Sequence, residues 1–441
     1  MTTPRRLATA HDREILRLAV PAFGALVAEP LFLLSDSAIV GHLGTAQLGG
    51  LGVAGQALNT LVYLCVFLAY GTTAGVARQV GAGDLRGAIR QGIDGMWLAI
   101  AIGAVLIAAG WPLIPWIVDA FGASPGVAPY AETYLRVSLF GIPSMLVVLA
   151  GTGVLRGLQD TRTPLLVSIG GFSLNLLLNV VFVIGLGWGI AGSAWGTVLA
   201  QTGSAAVYVA VVLRAARRHG ALVRPDWDGL RTSATAGFGL LVRTAALRVV
   251  LIVGTSIAAR MGDPEIAAYQ VGFQVWTLLA FALDAIAIAG QAITGRYLGA
   301  SDITATRAVT RRMVWWGVGC GVVFGLAVLV VRPWLPALFT SDGDVRNLLL
   351  GSLLLVAVLQ PIAGVVFVLD GILIGAGDGA YLAVTTLVAT AVFLPAALLV
   401  PRTGAGLAGL WGAIGLWMLT RMITLSLRAR GDRWLVTGAV R

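Results

Sequence analysis

The residues with the clearest chemical potential are a few acids and amides inside long apolar runs. Asp36 and Glu29 are seven residues apart in one run, nearly two turns of an α-helix, so both lie on one face. Asn175 and Asn179 are four residues apart in another run and also share a face. A charged side chain at bilayer depth is costly and marks a functional site by default. We therefore predict an ion-coupling site at Asp36, Asn175 and Asn179, and a substrate cavity that includes Glu29.

Asp36 has two interpretations at the level of sequence. Burial away from water disfavours the ionised form of a carboxylate, so a shielded aspartate can exchange protons near neutral pH. Asparagine neighbours donate hydrogen bonds without adding charge, so they can arrange such a site without locking it in one state. The alternative is a structural carboxylate that is capped by Ser35, Ser37 or an arginine. For the two asparagines the alternative is a hydrogen-bonded contact between helices.

Two further runs carry polar residues at helical spacing. A matched pair of polar stripes suits two lobes that face each other across a water-filled cleft, so we predict that both stripes line the substrate cavity. Simple helix packing through side-chain hydrogen bonds is the alternative. The residues concerned are Gln56, Asn59 and Tyr63 in the earlier run, and Gln270, Gln274 and Asp284 in the later run.

Four other positions are predicted to serve gating or structure. Pro21 and Pro30 lie in the first run, and each removes a backbone hydrogen bond, which favours a kink or a bendable segment. Arg248 and Asp284 should lie level in their helices, so we expect a salt bridge that makes Asp284 structural or gating. Asp370, near the inner end of its run, is predicted to be structural.

The remaining chemistry-bearing residues predict neither an enzyme nor a metal site. The chain has no G-x-x-x-x-G-K-[ST] phosphate loop, which argues against an ATP-driven pump. His11, His42 and His219 fall in loops or terminal segments, and Cys65 and Cys320 lie in apolar runs. We therefore expect no cofactor. A proton gradient would supply the energy, with sodium as the alternative ion.

The composition shows what must position these residues. Among 441 residues, 58% are hydrophobic and 11% charged, which excludes an ordinary soluble domain. A membrane span needs about 20 largely apolar residues. The twelve predicted spans cover residues 15–40, 50–77, 91–117, 130–156, 163–186, 190–214, 234–259, 266–297, 308–331, 346–374, 380–401 and 405–427.

The chain also repeats itself at a fixed offset in residue number. Gly81–Asp84 recurs as Gly299–Asp302, and Gly157–Asp160 recurs as Gly375–Asp378, since 302 − 84 and 378 − 160 both equal 218. Internal duplication of this kind is typical of transporters, whose substrate path lies between the repeats.

The predicted ion site is not duplicated. The same offset places Gly254, Phe393 and Ala397 at the positions equivalent to Asp36 and the two asparagines. The scaffold is therefore expected to be duplicated, with the ion chemistry confined to one lobe.

Arginine placement predicts the topology. Every cationic residue is an arginine, and the arginines concentrate at both ends of the chain and in alternate connections, which the positive-inside rule places in the cytoplasm. The net charge of +10 is then a topology signal, and we expect no binding of nucleic acid. The predicted order is a cytoplasmic segment over 1–14, an N-lobe of six helices over 15–214, a cytoplasmic linker over 215–233, a C-lobe of six helices over 234–427 and a cytoplasmic tail over 428–441.

Three segments carry a resemblance to a known family. The stretch from Glu29 to Gly44, EPLFLLSDSAIVGHLG, resembles the first helix of the multidrug and toxin extrusion (MATE) family, in its DinF-like, DNA-damage-inducible branch. The segments 283–292 and 369–378 resemble that branch too, so the likeness covers essentially the full chain. The resemblance implies an all-α integral membrane protein of twelve helices, in two pseudo-symmetric six-helix lobes that form a V-shaped central cleft.

The resemblance also implies a function. Asp36 matches the family's coupling aspartate, and Asn175 and Asn179 match positions that line the same cavity. Many relatives carry a second aspartate where this chain has Asn179, which leaves Asp36 as the main titratable group and places a sodium site of two carboxylates in doubt. We expect a monomeric antiporter in a bacterial plasma membrane that exports amphipathic, often cationic compounds in exchange for protons.

Two other transporter classes compete with this expectation. A lipid-linked precursor flippase of the same wider superfamily is the alternative, and it would need a cationic cavity, for which Arg243 and Arg248 are the candidates. A major-facilitator transporter also has twelve helices, but the segment 78–86 does not fit the motif of its second loop.

Overall fold

The computed structural model describes residues 4–439, and it describes the side chains of residues 11–439 other than Glu29. Within these residues all regular secondary structure is helical. The first half contains α1 (Pro4–Gly41), α2 (Thr45–Cys65), α3 (Phe67–Gly81), α4 (Leu85–Ala120), α5 (Ala128–Leu139), α6 (Ile142–Gly157), α7 (Arg162–Asn179), a π-helical segment (Val180–Gly185) and α8 (Gly189–His219). The second half contains α9 (Trp227–Met261), α10 (Asp263–Gly299), α11 (Ile303–Val331), α12 (Leu335–Phe339), α13 (Gly343–Gly375), α14 (Gly379–Thr403) and α15 (Gly406–Arg430).

The helices confirm the all-α membrane fold class. Eleven spans in the described chain are long and apolar enough to cross a bilayer, and the count becomes twelve when the bent pair α5 and α6 is taken as one. The two helices of this pair meet at 55°, where a single span over 130–156 was predicted. Pro143 lies in the first turn of α6, just after Gly141. Pro143 has no N–H to bond to the carbonyl of Leu139 four residues earlier, so the helical hydrogen bonding is interrupted at this point.

The duplication predicted from sequence is present in the backbone. Asp84 begins α4 by accepting a hydrogen bond from the Gly87 N–H at 2.7 Å, and Asp302 begins α11 by accepting one from the Ala305 N–H at 2.8 Å. The φ angles of the two aspartates are −94° and −91°. Side-chain caps of this kind satisfy an otherwise unpaired N–H at the start of a helix. The repeated segments Gly81–Asp84 and Gly299–Asp302 therefore lead into matched helix starts.

Helix packing is duplicated as well. Gly153 of α6 lies against the Ala69 carbonyl of α3, and Gly371 of α13 lies against the Ala287 carbonyl of α10. The two contacts are related by the offset of the repeat, since 371 − 153 and 287 − 69 both equal 218. Small residues allow close approach of backbones in membrane helices. The two halves therefore share one packing scheme.

The chain forms two compact units. The N-unit runs from Gly24 to Gly237, and the C-unit joins the chain up to Phe23 with Phe238–Ala439. These units differ from the predicted lobes over 15–214 and 234–427, because the first turns of α1 belong to the C-unit and the first turns of α9 belong to the N-unit.

The connection between the halves is shorter than the predicted linker over 215–233. Helix α8 continues to His219 and ends at Gly220, whose φ of +63° is a left-handed conformation that favours glycine. Two side chains of α4 hold the connection within the N-unit. Arg90 pairs with Asp226 at 2.8 Å, and the Trp97 indole N–H donates to the Val223 carbonyl at 2.9 Å.

Candidate functional site

Four helices of the N-unit converge on the Asp36 carboxylate. Asp36 projects from α1, and its Oδ1 accepts hydrogen bonds from Asn179 Nδ2 of α7 at 2.8 Å and from Ser193 Oγ of α8 at 2.6 Å. Its Oδ2 accepts a longer hydrogen bond of 3.4 Å from the Tyr134 hydroxyl of α5. The carboxylate thus joins helices that are distant in sequence.

A second layer of hydrogen bonds orients these donors. Asn179 Nδ2 also donates to Asn175 Oδ1 at 3.1 Å, and Asn175 Nδ2 donates to Thr197 Oγ1 at 3.0 Å. The chain of bonds fixes both amides. We call the six residues the Asp36 cluster, which comprises Asp36, Tyr134, Asn175, Asn179, Ser193 and Thr197.

The electrostatics of the cluster follow from its burial and its neutral donors. Asp36 is 2% exposed, while Asn179 and Ser193 are fully buried. No cationic side chain in the described chain forms an ion pair with Asp36. Neutral hydrogen bonds offset only part of the cost of a buried charge. Uptake of a proton or a small cation would neutralise this charge.

One acceptor of the cluster is left unused. Asn179 Oδ1 is buried and has no hydrogen-bond partner among the described residues. Such atoms are rare in protein interiors, because leaving an acceptor unpaired costs about 1–3 kcal/mol. Among the residues that the structure describes, no group of three or more histidine, cysteine, aspartate or glutamate side chains could hold a metal ion.

Local backbone features bring Asn179 to Asp36. Asn179 is the last residue of α7, and the π-helical segment Val180–Gly185 follows it directly. Single turns of π-helix occur often at functional sites, because they change the direction of side chains along a helix. Gly196 of α8 lies against the Asn179 carboxamide, so the two helices approach closely.

The C-unit fills the equivalent region with aromatic side chains. Helices α8 and α15 begin at Gly189 and Gly406, so the offset here is 217 and the residue equivalent to Ser193 is Leu410. The next residue, Trp411, is 1% exposed. Its ring lies 5.8 Å from that of Tyr269 and 6.4 Å from that of Trp276. The Tyr269 hydroxyl lies against Gly254, the equivalent of Asp36. A packed aromatic cluster thus stands where the N-unit has its carboxylate and amides.

The residues predicted to line a cavity lie mostly on exposed faces. Gln56, Asn59 and Tyr63 are exposed on α2, and Gln270 and Gln274 are exposed on α10. The cavity that these residues are predicted to line stays a prediction. Asp284 is half-buried on α10. The predicted contribution of Glu29 lies outside the described residues, because its side chain is not described.

The residues predicted to serve gating lie on α1, α9 and α10. Pro21 and Pro30 are half-buried within α1, which is helical throughout from Pro4 to Gly41. Arg248 of α9 and Asp284 are both half-buried, and the salt bridge between them stays a prediction.

Asp370 of α13 lies in a buried ion cluster of the C-unit. Arg243 of α9 contacts both oxygens of the carboxylate, and Arg421 of α15 donates to Oδ2 at 2.8 Å. The Arg421 guanidinium also lies 5.1 Å from the Trp417 ring centre. Asp370 therefore joins three helices, and Arg243, a candidate phosphate-binding residue of a flippase, is engaged by a carboxylate.

Sequence reasoning missed the hydroxyl donors of the Asp36 cluster. Ser193 and Thr197 are four residues apart in a predicted span, so their shared face could have been recognised. Tyr134 carried no such signal. Hydroxyl side chains are common in membrane helices, where they bond to their own backbone, so they do not stand out as acids do.

The sequence matches a known family model in two places. The model is that of MatE, and it matches residues 21–181 and 239–399. The two matches start and end at equivalent positions, since 239 − 21 and 399 − 181 both equal 218. The family pattern thus recurs with the offset of the internal repeat.

Relatives and solved structures agree with this match. The chain is 30% identical over 425 residues to Protein DETOXIFICATION 44, chloroplastic, of Arabidopsis thaliana, covering 93% of this chain and 80% of the relative. It is 28% identical over 424 residues to DNA damage-inducible protein F of Escherichia coli (strain K12), covering 95% and 92% respectively. A solved outward-facing conformation of a multidrug resistance MATE family transporter of the MOP superfamily has the same fold, with a TM-score of 0.86, 22% identity and coverage of 98% of each chain.

Proposed function

Since this chain belongs to the MatE family of multidrug and toxin efflux transporters, we propose that it is a proton-coupled antiporter with Asp36 as its coupling carboxylate. Its cargo would be amphipathic, often cationic organic compounds, exported by alternating access. The chain is a multi-pass membrane protein of a family of secondary transporters, so an ion gradient is the natural source of energy.

The observation that supports the proposal is that the Asp36 carboxylate is buried and that all of its hydrogen-bond donors are uncharged. Protonation removes the charge, and the hydrogen bonds that favour the ionised form weaken with it. A proton from outside would then bias α1, through its proline region, toward release of the cargo. Export against a gradient requires different affinities in the two states, and proton binding supplies that difference.

A proton fits the cluster better than sodium. Na⁺ prefers several oxygen ligands with compensating negative charge, and the Asp36 cluster offers one carboxylate. The buried aspartates of the family-like segment 369–378 are both paired with arginines, Asp370 with Arg243 and Arg421 and Asp378 with Arg428. These contacts support proton coupling through Asp36.

The cargo class is supported by the exposed amides of α2 and α10. Amide groups both donate and accept hydrogen bonds without selecting one charge, which suits varied amphipathic compounds. The negative charge of Asp36 would favour cations. The distribution of arginines supports an orientation with both termini on the cytoplasmic side of a bacterial plasma membrane. We propose that the protein acts as a monomer.

Transport in reconstituted vesicles tests the proposal. We would measure accumulation of ethidium, an aromatic cation, in proteoliposomes with proton and sodium gradients imposed separately. An acidic lumen should drive accumulation by the wild type, and a sodium gradient alone should not. Asp36→Asn should reduce accumulation to the level of empty vesicles, because the side chain no longer exchanges a proton.

The matched control is Asp119→Asn, which removes an exposed carboxylate of α4 in the same unit. This variant should transport like the wild type. Full uphill accumulation by Asp36→Asn, or accumulation driven by sodium alone, would refute proton coupling through Asp36. Translocation of a lipid headgroup without a pH step would point to the flippase instead.

A further inference from the structure

The first turns of α1 are fixed to the C-unit by an ion pair with ideal geometry. Arg312 of α11 contacts Asp12 in bidentate fashion, with Nε to Oδ1 and Nη2 to Oδ2 both at 2.6 Å. The Trp316 indole N–H donates to the same Oδ1 at 2.7 Å. Bidentate arginine–carboxylate pairs add geometric specificity to charge, so this contact fixes the direction of the helix start.

A second ion pair lies close by on α1. Glu14 pairs with Arg296 of α10 and accepts a hydrogen bond from the Tyr297 hydroxyl at 3.2 Å. The Arg296 guanidinium lies 4.9 Å from the Tyr297 ring centre. The start of α1 is thus held on two neighbouring helices of the C-unit.

An apolar stripe completes this attachment. Ile15, Leu18, Ala19 and Ala22 are all buried, and their spacing of three and four residues places them on one face of α1. Buried side chains are closely packed with their neighbours, which limits movement of this part of α1. The segment from Asp12 to Ala22 is therefore a rigid attachment, which we call the α1 anchor.

The side chains in the middle of α1 are less buried than those of the anchor. From Phe23 to Ser35, none of the described side chains is fully buried, and Pro30 lies within this stretch. Burial resumes at Asp36 and Val40, which are 2% and 0% exposed. One continuous helix is therefore fixed near its start in the C-unit and fixed near its end in the N-unit, and the side chains between these points are half-buried or exposed.

We propose that Asp12 and Arg312 are positioning residues for coupling, because the α1 anchor transmits the state of Asp36 to the C-unit. The proposal rests on the proposed function, since it assumes that Asp36 is the coupling carboxylate. A change at Asp36 alters the forces on one end of α1. If the other end is fixed, the change acts on the C-unit; if it is loose, α1 moves alone and the change is not transmitted.

Two measurements separate proton binding from its transmission. The first is ethidium accumulation in vesicles with an acidic lumen. The second is proton release from the purified full-length protein when ethidium binds, which reports on the Asp36 cluster without transport. Arg312→Ala should lower accumulation about fivefold, because loss of the bidentate contact releases the start of α1 from α11. Its proton release should equal that of the wild type.

Two further variants control for folding and for charge. Arg311→Ala removes the neighbouring, exposed arginine and should leave both measurements unchanged. The exchange Asp12→Arg with Arg312→Asp restores an ion pair with reversed polarity and should recover more than half of the accumulation. A merely destabilised protein would not recover in this way.

The outcomes test the role of the α1 anchor separately from the role of Asp36 in coupling. Accumulation by Arg312→Ala equal to that of Arg311→Ala would overturn the anchor, as would loss of proton release in Arg312→Ala. Failure of the charge exchange to restore accumulation would overturn it too. Proton release that persists in Asp36→Asn would instead refute the proposed function, whatever the anchor variants do.

Discussion

At the scale of single residues, Asp36 and Asp370, two of the buried aspartates, differ in the charge of their partners. Asp36 accepts hydrogen bonds from an amide and two hydroxyls, whereas Asp370 lies between two guanidinium groups. Opposite charges nearby favour an ionised carboxylate, while neutral donors do so more weakly. The same residue type is therefore suited to proton exchange in one place and to holding helices together in the other.

The ion selectivity of the cluster should respond to a second carboxylate. Asn179→Asp places an acid at hydrogen-bond distance from Asp36, and two adjacent carboxylates cannot both stay ionised without a cation. We expect this variant to accumulate ethidium under a sodium gradient in proteoliposomes. Asn175→Asp, which adds a carboxylate without direct contact to Asp36, should not gain this response. Accumulation by Asn179→Asp that is driven by protons alone would count against the predicted basis of selectivity.

The Asp370 cluster should matter for stability. Asp370→Asn leaves two buried guanidinium groups without their carboxylate, and removal of one partner of a buried ion pair costs about 3 kcal/mol or more. We expect a clearly lower melting temperature in detergent for this variant. Asp119→Asn, on an exposed position, should melt like the wild type. Equal melting temperatures for both variants would show that the ion cluster contributes little.

The sequence predicted that Asp36, Asn175 and Asn179 form one site because amides and acids are conspicuous among apolar residues, and hydrogen bonds join the three side chains in the structure. It could not identify the partners of Asp370, since an arginine near the end of a span fits equally well as a topology signal. Pairing across 51 residues to Arg421 and 127 residues to Arg243 depends on tertiary packing, which spacing along one helix does not report.

At the scale of elements, hydropathy predicted that the spans exist but not where the helix within a span bends. Mean hydropathy reports the length of an apolar run, so the segment over 130–156 resembled one helix although α5 and α6 meet at 55°. Gly141 and Pro143 were the available signal. The π-helical segment after Asn179 had no signal in the sequence pattern, because an extra residue in one turn changes no hydrophobic period noticeably.

Glycine at the close helix contacts should be indispensable in both halves. A methyl group on Gly371 would meet the Ala287 backbone, so Gly371→Ala should destabilise the protein by about 1–3 kcal/mol through overpacking. Gly153→Ala should have a comparable effect at the equivalent contact. Melting temperatures in detergent would measure both.

Gly351→Ala is the matched control on the same helix as Gly371. A side chain there would meet no atom within 4 Å, so stability should stay the same or rise slightly. If Gly371→Ala melts at the same temperature as Gly351→Ala, close packing at the duplicated contact is not required.

At the scale of the whole molecule, a duplicated scaffold carries a chemistry that is not duplicated. The helix starts at Asp84 and Asp302, the close glycine contacts and the family match all repeat at an offset of 218. The Asp36 cluster lies in the N-unit, and an aromatic cluster around Trp411 occupies its equivalent in the C-unit. The offset predicted this asymmetry at Gly254, Phe393 and Ala397. Leu410, the residue equivalent to Ser193, became informative once the structure had shown that Ser193 donates to Asp36.

The division of α1 between the units was not predictable from hydropathy. A continuous apolar helix offers no boundary signal at Phe23, and the attachment of its start depends on Arg296 and Arg312, which are nearly three hundred residues away in the chain. In sequence these two arginines also fit the positive-inside rule, so their role in holding α1 was hidden.

The most direct test of coupling through Asp36 is proton movement driven by the cargo. Coupling between two ligands is reciprocal, so an ethidium gradient imposed across proteoliposomes without an initial pH difference should drive protons in the opposite direction. A pH-sensitive dye in the lumen would report this flux. We predict a measurable pH change with the wild type and with Asp119→Asn, and none above empty vesicles with Asp36→Asn. An equal pH change with Asp36→Asn would contradict the assignment of Asp36 as the coupling residue.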